Sequence, residues 1–244
     1  MLVQAATLVL GPVLFAQARR VRATALELPE ADGPREGEEG RGDRTLHLLV
    51  VGDSSAAGVG ATHQDEALAR PLARSVAEGK GVKVRWQLVA RSGATSRDAL
   101  CLLKDRPPER ADVAVIMLGV NDITHRVPVA RALAHKAELV DWLRDDRGVE
   151  QVVFCELPPM ERFPALPQPL AWYCGLAAHR VNRAQARWAG LRPGVRHADM
   201  GGVMRAGLFA QDGFHPGPEL YARIARRLAD HVCALPRAVR SSDP

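Results

Sequence analysis

Aromatic side chains are scarce in this chain of 244 residues, only 5% of the total, and no long Lys/Arg block is interleaved with them. A nucleic-acid surface combines a basic stripe with stacking rings. The net charge of +5 and the pI near 9.4 therefore read as a solvated, arginine-favouring surface, and no nucleic-acid partner is expected. Cysteine is sparse as well. Cys101, Cys155, Cys174 and Cys233 stand far apart, with no Cys-x-x-Cys pair and no Cys/His ligand spacing, which speaks against a disulfide framework or a zinc site. No internal repeat is evident. Several glycines lie between Gly52 and Gly60, but the lysine of a phosphate-cradling loop is missing, so a nucleotide-binding reading has little support.

What is present is a soluble-protein composition, 47% hydrophobic and 25% charged, in a length that suits one α/β domain. Met1 to Ala18 carries no side-chain charge, and Arg19, Arg20 and Arg22 follow. This span is borderline for a membrane helix and is interrupted at Gly11-Pro12. It lacks the basic start of an export signal, although Ala16-Gln17-Ala18 resembles a cleavage site. Residues 1–26 are thus expected to form an uncleaved hydrophobic segment that touches a membrane, with a cytoplasmic or membrane-associated location favoured over export. Residues 27–44, rich in Glu, Gly, Pro and Arg, read as a linker. The folded domain is expected over 45–235, followed by a tail at 236–244.

Within that domain, strand-like and helix-like stretches alternate. Strands are expected at Leu46–Val51, Val82–Val89, Asp112–Leu118, Val149–Glu156 and Val195–Asp199. Helices are expected at Ala67–Glu78, Thr95–Leu103, Arg131–Arg144, Trp172–Trp188 and Pro218–Val232. Thr95-x-x-Asp98 has the form of a capping box, and Leu220, Ile224, Leu228 and Val232 repeat every fourth residue. Near-continuous apolar strands separated by helices predict a parallel sheet of about five strands covered on both faces. In such sheets chemistry collects beyond the carboxyl ends of the strands.

Four short motifs fall at those ends. Gly52-Asp53-Ser54-Ser55 follows the first strand and puts Ser54 at a helix start, where a backbone N–H can meet an oxyanion. Taken alone, the motif reads equally well as a plain helix cap. Ser92-Gly93-Ala94-Thr95 by itself is an ordinary strand-to-helix turn. Gly119-Val120-Asn121-Asp122 follows the third strand. The Asn121 amide is a competent oxyanion donor, and Asp122 reads as a cap or loop holder. Asp212-Gly213-Phe214-His215-Pro216 precedes the last helix. Its spacing lets a carboxylate take the imidazole Nδ1–H and leaves Nε2 free to accept a serine proton. The bland reading is a surface loop. A metal site finds no second ligand at matching spacing. All the motifs together, each at a strand-to-helix junction and in this order, favour the catalytic reading.

This set resembles the SGNH hydrolases, also called the GDSL esterase/lipase family, over roughly Leu46 to Val232. Gly52-Asp53-Ser54 is similar to the family's nucleophile block and Gly93 to its second block. Gly119-x-Asn121-Asp122 is similar to the third block and Asp212-x-x-His215-Pro216 to the fifth. The resemblance implies a three-layer α/β/α sandwich of flavodoxin-like type, with a shallow site and no separate lid domain. Ser55 stands where the family name expects Leu, which makes Ser55 a minor rival nucleophile. The Gly-x-Ser-x-Gly elbow of the α/β-hydrolase fold is absent around Ser54.

The expected chemistry is acyl transfer from a small-molecule ester. Ser54 would be the nucleophile, His215 the general base and Asp212 its orienting partner. The Ser54 and Gly93 N–H groups and the Asn121 side chain would hold the oxyanion, and neither metal nor cofactor is required. The Pro-rich stretch Leu157–Pro167 would wall an acyl pocket through Met160, Phe163 and Leu166, or else simply pack on the body. Small or lipid-derived carboxylic esters are favoured. Acetylated carbohydrates, thioesters and a non-catalytic binding role on the same fold stay open.

Overall fold

The computed structural model describes residues 2–203 and 206–236. In chain order it runs α1 (Leu2–Thr24), β1 (Glu36–Glu39), β2 (Thr45–Gly52), α2 (Ser54–Ala57), α3 (Ala69–Lys80), β3 (Lys83–Ala90) and α4 (Ser96–Asp105). It continues through β4 (Val113–Met117), α5 (Val120–Thr124), α6 (Val129–Arg147), β5 (Gln151–Cys155), α7 (Leu170–Gly190), β6 (Val195–Ala198) and α8 (Pro218–Cys233). Single 3-10 turns lie at Met160–Arg162 and Ala206–Leu208.

The strands form one sheet in the order β1-β3-β2-β4-β5-β6, parallel except for β1. The five parallel strands follow the flavodoxin-like order, which reverses direction at β2. Period-two alternation explains why apolar runs were needed on the central strands. Leu48, Val50, Val113, Val115 and Val153 face one helical layer with α3 and α8. Leu49, Val51, Ala114, Ile116, Val152 and Phe154 face the other, with α4 and α6. β3 is covered more fully on one side, so Val84, Trp86 and Leu88 are buried while Arg85 between them is exposed, and Val89 on the other face packs partly against the second cluster. The capping box forms at Thr95, which accepts from Asp98 N–H while Asp98 accepts back.

Residues 27–44 do not behave as the expected linker. β1 pairs antiparallel with β3 and adds a sixth strand to the sheet. An edge strand needs no apolar face when its side chains meet partners from the neighbouring elements. Glu39 takes Arg70 and Arg74, and Glu38 takes Lys83 and Arg85. Pattern reading for apolar residues misses such a strand. The N-terminal segment is a single helix that passes through Pro12 without a break. Leu14 is buried against the core cluster, flanked by Leu10, Ala18 and Val21 at helical spacing, while Val13 and Phe15 stay exposed. Gln17 ties it to Gln168 and Leu170, and Arg22 to the Thr124 carbonyl. Among the described residues, no helix is long and apolar enough to cross a membrane. Of the expected tail, residues 237–244 lie outside the described residues.

Candidate active site

Ser54, Asn121 and the β5 loop all emerge at the carboxyl ends of β2, β4 and β5, beside the point where the strand order reverses. Asp53 caps α2 by accepting the Ser55 N–H at 3.1 Å. This leaves Ser54 in the first turn, where a backbone N–H has no acceptor inside its own helix. His215 comes from the loop before α8. Two contacts tie that loop and the first turn of α8 to the segment after Ser54: Tyr221 donates to the Val59 carbonyl at 2.7 Å, and Gly60 lies under Pro216. A side chain at Gly60 would meet the Pro216 carbonyl oxygen at 2.3 Å, and its φ of +99° disfavours other residues as well.

The catalytic candidates meet directly. His215 Nε2 lies 2.8 Å from Ser54 Oγ, and His215 Nδ1 lies 2.5 Å from Asp212 Oδ2. It is Ser54, not Ser55, whose hydroxyl faces the imidazole. The other carboxylate oxygen of Asp212 accepts the backbone N–H groups of Phe214 and His215, at 2.9 and 3.0 Å. The Asp212 side chain is only 6% exposed. Burial raises its pKa, but the bonds from the His215 side chain and from the two backbone N–H groups outweigh it. The net result is a carboxyl held below its ordinary value. Phe214 stands edge-on to the imidazole, with centroids 5.2 Å apart.

The oxyanion candidates are brought to the same place by a second set of bonds. Gly93 adopts φ +78° with open space where a side chain would project. The Asn121 amide donates to the Ala94 carbonyl at 3.1 Å and, more weakly, to Asp53 at 3.4 Å. Asp122, buried, accepts the Ser96 N–H and hydroxyl at 3.1 and 2.5 Å. It therefore holds the third motif against the second. Burial raises Asp53 to about 7, with the neighbouring Asp122 charge adding to the effect.

Sequence reasoning missed the groups beneath this arm. Lys136 is wholly buried, donating to the Leu118 carbonyl at 3.3 Å and to Gln185 at 2.5 Å. Desolvation lowers it to about 8, against the attraction of Asp122 and Asp53. Its spacing with Leu139, Val140 and Leu143 puts it on the apolar face of α6, and that was the available signal. Asn182 likewise bridges both backbone groups of Leu157, at 2.8 and 2.9 Å.

A cavity opens beside Ser54, lined mainly by Met117, Leu118, Val120, Leu157, Phe163, Met200, Phe214 and Ile224, with Glu156 and Cys155 at the β5 end. Of the three residues expected to wall it, Phe163 does, packed edge-on to Phe209 and Phe214 at 5.2 and 4.9 Å. Met160 does not. It is fully buried within the core cluster, because its 3-10 turn points it inward. Leu166 is partly buried against that cluster and is not in the cavity wall either. The wall is supplied instead by β4, the β5 loop and α8, whose apolar residues gave no separate signal in the sequence. Among the described residues, no group of three or more His, Cys, Asp or Glu is placed to hold a metal ion.

Residues 50–223 match the model of the GDSL-like lipase/acylhydrolase family. The chain belongs to that family. A GDSL-like esterase of Mycobacterium tuberculosis is 33% identical over 192 residues, 74% of this chain and 59% of that protein. The present chain thus spans well under two thirds of that relative's length. A lipase from a goat rumen metagenome, Lip_vut3, superposes with TM-score 0.61 at 19% identity, covering 79% of this chain and 99% of its own. Est24, a carbohydrate acetylesterase from Sinorhizobium meliloti, does so with TM-score 0.56 at 20% identity, covering 78% and 99%. These two likenesses concern the fold.

Proposed function

We propose that the protein is a serine esterase that hydrolyses carboxylic esters with small or lipid-derived acyl groups through an acyl-enzyme on Ser54. The observation that carries this reading is the unbroken series from Asp212 through His215 to Ser54 Oγ, at 2.5 and 2.8 Å, beside an apolar cavity. Ser54 Oγ attacks the ester carbonyl as His215 Nε2 takes its proton. Asp212 stabilises the imidazolium and fixes the tautomer. The oxyanion is received by the Ser54 and Gly93 N–H groups and by Asn121, which turns its amide from Ala94 or Asp53 towards the substrate. His215 then protonates the leaving alcohol. Water attacks the acyl-enzyme with His215 again as base, releasing the acid and restoring Ser54.

The cavity wall argues for an apolar acyl group. A panel of p-nitrophenyl esters of rising chain length, run on the wild type and on Ser54→Ala, tests this. Turnover that persists to medium chains and disappears with Ser54→Ala is the expected outcome. A sharp preference for acetate would sink the lipid-derived reading in favour of acetylated substrates. No turnover of any ester would favour a binding role.

A further inference from the structure

Glu30 and Arg35 lie in the strap before the sheet, ahead of residues 50–223 that match the family model. Glu30 Oε1 accepts both the backbone N–H and the hydroxyl of Ser92, at 2.7 and 2.8 Å. Its other oxygen pairs with Arg35, whose second nitrogen donates to the Ala90 carbonyl at 2.7 Å. The pair thus grips the turn on both sides, at the last residue of β3 and at the residue immediately before Gly93. The strap is itself pinned by backbone bonds around the pair, Ala31 N–H to Ala57, Gln64 N–H to Asp32 and Leu88 N–H to Arg35.

We propose that Glu30 is a positioning residue for the oxyanion site, fixing the Ser92–Gly93 peptide so that the Gly93 N–H is aimed before substrate arrives. Arg35 has a second task in this arrangement. A bare carboxylate beside a developing oxyanion would oppose it, and the guanidinium neutralises that charge at contact distance. The proposal rests on the reading of Gly93 as an oxyanion donor. The competing account is a partly exposed surface ion pair, which contributes little to anything.

Charge neutralisation and simple bracing differ in a double-mutant pattern. On p-nitrophenyl acetate, Arg35→Met is expected to lower kcat about tenfold with KM within about twofold, short of the effect of removing a donor outright. Glu30→Gln keeps an acceptor for the Ser92 N–H and is expected to lose only about two- to threefold. Combining the two should restore kcat from the Arg35→Met level to near that of Glu30→Gln, because the uncompensated charge is gone. Losses that simply add, or single variants indistinguishable from wild type, would overturn the proposal. Amide hydrogen exchange separates this from the esterase reading itself. In Glu30→Ala, exchange at Ser92 should speed up by about tenfold or more while β2 amides stay protected. Unchanged protection at Ser92 overturns the clamp whether or not any ester is turned over, and an inactive wild type sinks the esterase reading while leaving the exchange result to decide the clamp.

Discussion

The proposed nucleophile arm of the site closes through two direct side-chain contacts, Ser54 to His215 and His215 to Asp212. The proposed oxyanion arm is held at second hand. Asp122 fastens Ser96, Asp53 and the Ala94 carbonyl engage Asn121, Glu30 grips Ser92, and Lys136 lies buried under the Leu118 carbonyl. The difference follows from what each arm must do. A proton relay needs three atoms in line, and a three-residue turn from Asp212 to His215 supplies most of that locally. An oxyanion site needs N–H groups from separate strand ends to converge on one point, and the Asn121 amide is meanwhile engaged by Ala94 and Asp53. Their alignment then falls to neighbours that face away from substrate.

The largest expected effect on the proposed oxyanion arm falls at Asn121. Asn121→Ala is expected to lower kcat by about 10²–10³ with little change in KM. Steady-state kinetics on an ester the wild type accepts would check it, and an unchanged kcat would leave the oxyanion arm to backbone groups alone. The substitution also frees the Ala94 carbonyl, so thermal unfolding should be recorded alongside.

A smaller effect sharpens the role of Asp53. Its folded pKa, raised to about 7 by burial, lies above the unfolded value near 3.8. The folded state therefore holds this proton more tightly. The contribution is fully present below the unfolded pKa and is lost as the pH rises towards 7, at no more than about 1.4 kcal/mol per pH unit. Asp53→Asn removes that loss while keeping an acceptor for the Ser55 N–H. Urea unfolding of both proteins from pH 4 to 8 should show the Asn variant gaining relative to wild type up to about pH 7 and levelling beyond. A constant offset across that range would mean that Asp53 does not titrate there.

The same contrast separates what was legible in the sequence from what was not. The central strands β2, β4 and β5 announce themselves through apolar runs, because strands buried on both faces cannot be polar, while β3 and β6 show weaker, alternating patterns. Ser54, Asn121, Asp212 and His215 were legible because each belongs to a short motif at a strand-to-helix junction. Gly93 was visible only in that company. The supports were opaque for identifiable reasons. β1 is a polar edge strand that satisfies itself through Arg and Lys partners. Glu30 acts across 62 residues of sequence, in a stretch whose composition reads as unstructured. Lys136 hides on a helix face where one charged residue among leucines and valines looks like noise. Met160 and Leu166 depart from the expectation because the apolar composition of a Pro-rich loop says little about which way its turns point each side chain.

The site at which an activated ester mimic attaches identifies the nucleophile most directly. The protein should be incubated with a fluorophosphonate at neutral pH and the modified peptide sequenced by mass spectrometry, with His215→Ala as comparison. One adduct is expected, on Ser54 within Gly52-Asp53-Ser54-Ser55, forming at least about a hundredfold more slowly once His215 is removed. An adduct on Ser55 or elsewhere, or labelling of Ser54 at the same rate without His215, would contradict the proposed mechanism.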